Sequence, residues 1–314
     1  MAETNLAQAV EAAENLSRYD TNVKYLLADK QILARILKYA VSEFYDMSVN
    51  DIINCISNDI EIGSKPVDAG LTNLGRISGT NTEDGIPGEG KIFYDIRFSA
   101  YFQNAEIKIL INVEAQKSSD PSKLGYHLEN RILFYLSRMV SAQKQTEFYH
   151  SDYDSLKKVR SIWICMDNSK NGDSIEEIFM DKKIVFGKPD RLLNLDLMKG
   201  IIINIRSGQN ITESKNTLIS MLENLLSQMD ADEKKRVLSN KYGLIMTDEF
   251  EGRLKTMCNL SENIENMGIE RGIEQGIEKE RIDAIRRMLK ANAVKEQILS
   301  YGYTEEEFIK AQAE

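Results

Sequence analysis

The chain has 314 residues, with 40 Lys and Arg against 49 Asp and Glu and a formal charge of -9. Its 42% apolar and 28% charged residues describe an ordinary globular composition, and 4 Pro with 18 Gly exclude collagen-like and mucin-like classes. No apolar run approaches the ~20 residues of a bilayer span, and net acidity argues against a surface that coats nucleic acid, whose phosphates attract Lys and Arg.

The polar N-terminus lacks a basic start and an apolar h-region, so no signal peptide is expected. Cys55, Cys165 and Cys258 lie far apart, which argues against a disulfide framework and a zinc site and for a cytoplasmic compartment. His127 and His150 are the only histidines, and no Gly-x-Ser-x-Gly, Walker loop or Cys-x-x-Cys accompanies them.

In chain order, residues 1–20 are polar and Ala/Glu-rich, a loosely packed helix. Asp29 to Tyr45 repeats apolar residues at three- and four-residue steps (Ile32, Leu33, Ile36, Leu37, Ala40, Val41, Phe44), predicting a helix. Val49 to Ile56 predicts another, capped by Ser48. Residues 62–90 are punctuated by glycine and predict a loop-rich insertion. Lys91 to Phe102 and Glu106 to Glu114 predict paired strands about a turn at Gln103 and Asn104. A helix is expected from Pro121 to Met139, with a buried strand from Arg160 to Met166. One or two strands between Leu192 and Ile205 precede a helix over 212–229. Strand, strand, helix, strand is the order of a mixed α/β core with the helix as crossover. From 230 to 314 every signal is helical, including a Gly-Ile-Glu tandem from Gly268 and a capping box from Thr304 to Glu307. The expected organisation is a core domain over 1–229 and a helical region over 230–314 that serves assembly, for instance as a homodimer.

One constellation carries chemistry. Asp95 interrupts an aromatic strand, where a carboxylate is costly unless paired or metal-bound. Glu114 and Gln116 end the next strand two residues apart, so they emerge on one face. The turn at 103–104 sets Asp95 roughly opposite residue 112, within reach of Glu114. Two carboxylates at a strand end suit a hard cation such as Mg²⁺, which polarises a phosphoryl oxygen and acidifies bound water. Lys117, Lys123, Arg131 and Arg138 follow as candidate phosphate contacts. The window from Lys117 to Arg160 holds eight Lys and Arg against five Asp and Glu, a basic stretch in an acidic chain.

Tyr94, Asp95, then Val113, Glu114, Ala115 and Gln116, resemble the Asp…Glu-x-Lys core of the PD-(D/E)XK nuclease superfamily. The specific resemblance is to its transposase-like branch of recombination-promoting, Rpn-type nucleases. The helix from Arg131 through Tyr135 to Arg138, the following Tyr149, the passages Tyr242–Thr247 and Met257–Ser261, and the Gly-Ile-Glu tandem resemble that branch in order and spacing. The resemblance implies a restriction-endonuclease-like mixed sheet flanked by helices and Mg²⁺- or Mn²⁺-dependent cleavage of DNA. Asp95 and Glu114 would hold the metal, and Gln116 would stand where the family's lysine positions water. Glu43 is the match for a further acid on the first core helix. Gln cannot act as a base, so a catalytically weak binding or assembly protein on the same fold is the alternative.

Overall fold

The computed structural model describes residues 2–63, 83–86, 90–93, 95–102, 107–116, 118–166, 172–188, 196–206 and 213–313. The chain opens with α1 (Ala2–Leu27), longer than the expected loose helix. Helix α2 (Lys30–Ala40) follows, with the Asp29 carboxylate accepting from Gln31 N, and buries Ile32, Leu33, Ile36 and Leu37 as the periodicity predicts. A 3-10 turn over Ser42–Phe44 leads to α3 (Val49–Cys55), capped by Ser48.

The strands are β1 (Glu61–Ile62), β2 (Glu83–Ile86), β3 (Gly90–Phe93), β4 (Ile96–Phe102) and β5 (Ile107–Gln116). The single strand expected over 91–102 is therefore two. β3 pairs with β2 in a separate two-stranded ladder, and β4 belongs to the main sheet. The break falls beside Asp95, whose N–H and carboxylate bond to Glu114 and Ala115 while its carbonyl accepts from Gly63 N at 2.8 Å. Most of the 62–90 insertion, the turn residues Gln103 and Asn104, and Tyr94 lie outside the described residues.

After β5 come α4 (Pro121–Leu124) and α5 (Leu128–Ser141). One helix was expected here. Gly125, at φ 78°, adopts the left-handed conformation and caps α4, so the chain turns before α5 begins. The remaining strands are β6 (Lys158–Cys165), β7 (Ser174–Phe179) and β8 (Met198–Asn204). β7 was not foreseen: its alternation is blurred by adjacent Glu176 and Glu177, and it is an edge strand with little buried. Helices α6 (Thr217–Leu226), α7 (Ala231–Tyr242), α8 (Asp248–Lys290), α9 (Lys295–Ser300) and α10 (Glu305–Gln312) complete the chain.

The fold is mixed α/β. Six strands run in the order β1-β4-β5-β6-β8-β7. β4 and β5 are antiparallel, β5, β6 and β8 are parallel, and α5 is the crossover between β5 and β6. One sheet face packs α1, α2 and α6 through Leu27, Ile36, Ile111, Ile162, Ile203 and Leu222. The other packs α5 through Ile132, Leu136, Met139, Val159 and Trp163. Gly200 on β8 permits close seating: a Cβ there would lie 2.4 Å from Ile132 Cγ2.

The chain divides into two compact units, Ser17–Cys258 and Met1–Leu16 with Asn259–Glu314. Leu238, Leu244, Phe250, Leu254 and Met257 belong to the core of the larger unit. In the smaller one, Ile285, Ile298, Phe308 and Ala311 form a core, and Arg281 makes two hydrogen bonds to Glu307, at 2.6 and 3.0 Å. The Thr304–Glu307 capping box is present as expected. Among the described residues no helix is long and apolar enough to cross a membrane.

Candidate functional site

Strands β4 and β5 pair with Ile96 opposite Val113 and Phe102 opposite Ile107. This register sets Asp95 beside Glu114, two residues along from the expected position, because the ladder closes at Ile107 rather than immediately after a two-residue turn. The two carboxylates meet at the mouth of β4 and the C-terminal end of β5. Glu114 stands beside Trp163 in the parallel ladder with β6.

Both acids are buried, Asp95 to 7% exposure and Glu114 to 2%. Backbone groups fix them. Asp95 N donates to Glu114 Oε1 at 3.1 Å, and Ala115 N donates to Asp95 Oδ2 at 3.1 Å. Asn112, two residues before Glu114 on the same face, donates from Nδ2 to Glu114 Oε1 at 3.1 Å. Each carboxylate is thus tied to the other's strand. Glu114 Oε2 makes no hydrogen bond among the described residues, and the fully buried Asn112 Oδ1 has no partner there either.

The charges are unequally shared. Lys24, on α1 and 2% exposed, places Nζ 2.9 Å from Asp95 Oδ1 and 3.0 Å from Asp20 Oδ2. Burial works against its ammonium, but Asp95 and Asp20 together raise its pKa above the ordinary lysine value. Among the described residues no ion pair of this kind reaches Glu114. Burial first, and then the Asp95 charge, push its carboxyl up to about 8.

Arg131 faces Gln116 from the first turns of α5. Its Nη1 donates to Gln116 Oε1 at 3.3 Å and to Tyr126 OH at 2.9 Å, and its Nη2 donates to Tyr135 OH at 3.0 Å. The guanidinium carbon lies 5.2 Å from the centre of the Tyr135 ring and 5.0 Å from that of Trp163. These partners are all neutral. They hold the guanidinium plane while leaving its charge uncompensated by direct contact, the arrangement that suits an arriving phosphate.

The structure brings Asp95, Glu114, Gln116 and Arg131 together. It separates others. Glu43 does not join the acids: it pairs with Arg160 and, at 3.0 Å, with Lys158 near the start of β6, at the other end of the strand. Its position in the 3-10 turn after α2 puts it there, so it is corrected from a possible further acid to a member of a separate cluster. Arg138 is 5% exposed and is not a surface contact for a phosphate backbone: seven residues from Arg131 it lies on nearly the same face of α5, but it is seated more deeply. Lys123 is exposed on α4. Lys117 lies outside the described residues. Lys24 and Asn112 went unforeseen. The signal for Lys24 is a lysine embedded in the apolar run Val23–Leu27, one turn after Asp20.

Among the described residues no group of three or more His, Cys, Asp or Glu side chains is placed to hold a metal. The oxygen donors here are the Asp95–Glu114 pair. That set fits a hard cation held by two carboxylates, with water and phosphate completing its shell, and the unpaired, buried Glu114 is the group that such a charge would satisfy. No protein-family model, curated protein or solved structure matches the chain.

Proposed function

We propose that the chain is a divalent-cation-dependent nuclease with a restriction-endonuclease-like core, hydrolysing DNA phosphodiesters in a transposase-like or recombination-promoting role. The observation that carries this reading is the meeting of two buried carboxylates, one without a contact ion pair among the described residues, near an arginine whose hydrogen-bond partners are neutral. Asp95 and Glu114 would hold Mg²⁺ or Mn²⁺. The cation would supply charge to a phosphoryl oxygen and acidity to a bound water. Asp95 Oδ2 and Glu114 Oε1 stay tied to the sheet, so Asp95 Oδ1 and Glu114 Oε2 are the oxygens that face outward chemistry. Arg131 binds a phosphate oxygen, oriented by Tyr126 and Tyr135 and backed by the Trp163 ring. Gln116 gives its carbonyl to Arg131 and keeps its amide hydrogens for water or phosphate.

Purified protein is expected to nick supercoiled plasmid with Mg²⁺, and Glu114→Ala to lower the rate by at least about a hundredfold, since it removes a ligand of the charge that stabilises the transition state. Equal nicking by this variant at unchanged folding overturns the site. One observation favours a second reading, a catalytically weak binding protein. Asp95 Oδ1 is already paired with an ammonium, and Gln116 brings no charge. Binding of DNA without any cleavage across Mg²⁺ and Mn²⁺ concentrations would select it.

A further inference from the structure

Lys24 sits where the cation reading needs an open oxygen. Of the four carboxylate oxygens of Asp95 and Glu114, Asp95 Oδ2 and Glu114 Oε1 accept backbone or Asn112 hydrogens. Asp95 Oδ1 and Glu114 Oε2 are left, and the Lys24 ammonium holds the first of them at 2.9 Å. A divalent cation bound to that oxygen would lie within a few ångströms of the ammonium. Like charges so close and so buried repel by several kcal/mol even at an effective dielectric of about 20. The two cannot share Oδ1 without strain.

The ammonium has somewhere else to go. Asp20 lies one helical turn earlier on α1, and its Oδ2 is 3.0 Å from the same Nζ. Its side chain is 30% exposed, against 10% for Asp95, so it lies nearer solvent. Lysine has three donors on one rotatable tip, and a small rotation keeps it paired with Asp20 after it leaves Asp95.

We propose that Lys24 is a built-in competitor for the cation: it neutralises Asp95 while the site is empty and passes to Asp20 when a divalent ion takes Oδ1. This rests on the reading of Asp95 and Glu114 as a cation site. The device keeps the fold tolerant of an empty site, at the cost of cation affinity.

Calorimetric titration with Mn²⁺ tests it on the full chain, in wild type, Lys24→Met, Asp20→Asn and the double variant. Lys24→Met is expected to bind Mn²⁺ roughly tenfold more tightly, inside the range that coupling between sites usually spans. Asp20→Asn is expected to weaken binding in wild type and to have a clearly smaller effect in the Lys24→Met background, where only its direct charge on the cation remains. Affinity unchanged or lower in Lys24→Met, or an Asp20→Asn effect undiminished in the double variant, overturns the proposal alone. Absence of Mn²⁺ binding in both wild type and Lys24→Met overturns the cation site and the proposal together. Should Lys24→Met not fold, Lys24→Gln takes its place in the titration. Wild type gives an independent readout through the ¹⁵Nζ resonance of Lys24, which should shift as Mg²⁺ saturates; a resonance that stays fixed at saturation overturns the proposal.

Discussion

The two ends of β6 treat charge in opposite ways. At its start, Arg160 is fully buried and pairs with Glu43 and Asp196, while Lys158 pairs with both acids and Lys199 joins Asp196 and Glu177. Burial works to raise Glu43 and Asp196, yet Arg160 and Lys158 outweigh it and hold both below the ordinary carboxylate range. Five residues on from Lys158, roughly 16 Å by strand rise, Trp163 stands beside Glu114, which has no ion pair among the described residues and is pushed up to about 8 by burial and Asp95. The same strand thus carries a balanced cluster and an unbalanced one. Charge is expensive to bury in either place, and only the first is compensated from within. A cluster complete in itself holds the fold together; one left short of a cation points outward to something that arrives.

That contrast can be broken by mutation. The largest expected effect is on the balanced end. Arg160→Met should cost about 3–5 kcal/mol of stability, because Glu43 and Asp196 lose a buried partner, and denaturant unfolding reads this directly. Nicking per folded molecule should be unchanged; a selective loss of nicking at full stability would merge the two clusters into one site.

At the unbalanced end the expected effect depends on pH. Glu114 is raised above its unfolded value of 4.5, so the folded protein prefers it protonated. Its contribution to stability is full below about pH 4.5 and is lost as pH rises through about 8. Cation-free unfolding should therefore show stability declining with pH across that window. Glu114→Gln should flatten it and be the more stable protein at pH 8. A wild-type profile that matches Glu114→Gln would show that the carboxylate is compensated after all.

The smallest effects concern phosphate. Arg131→Gln should weaken DNA binding by about tenfold at moderate salt, as expected for the loss of one charge-assisted contact. Lys123→Gln, on the exposed α4, should change it about twofold or less, with fluorescence anisotropy as the measurement. Equal losses would mean that binding spreads over the basic window instead of centring on Arg131.

Much of the architecture was legible. Period-2 and all-apolar runs located β4, β5, β6 and β8, the three- and four-residue stripe located α2, and the capping box located α10. The pairing of Asp95 with Glu114 was legible from strand spacing, because residues on facing strands must meet somewhere near the register. What escaped depended on contacts far apart in sequence. Lys24 and Asp95 are brought together by packing of α1 on the sheet, which no local pattern encodes. Glu43 looked like a helix acid near the site because sequence order says nothing about which end of a strand a turn reaches. Arg138 looked like a surface cation because heptad spacing from Arg131 ignores how deeply each residue is seated. The basic window shrank for the same reason: Arg138 and Arg160 are inside the protein.

Gly200 lies on β8, outside the site, yet it bears on the site's dimensions. Its missing side chain is what lets Ile132 rest directly on the sheet. Arg131 is the adjacent residue of the same helix, so the height of α5 above the strands is also the height of the guanidinium above the Asp95–Glu114 pair. A single methyl group at position 200 would act as a shim, lifting the helix and widening the gap that a phosphate has to bridge.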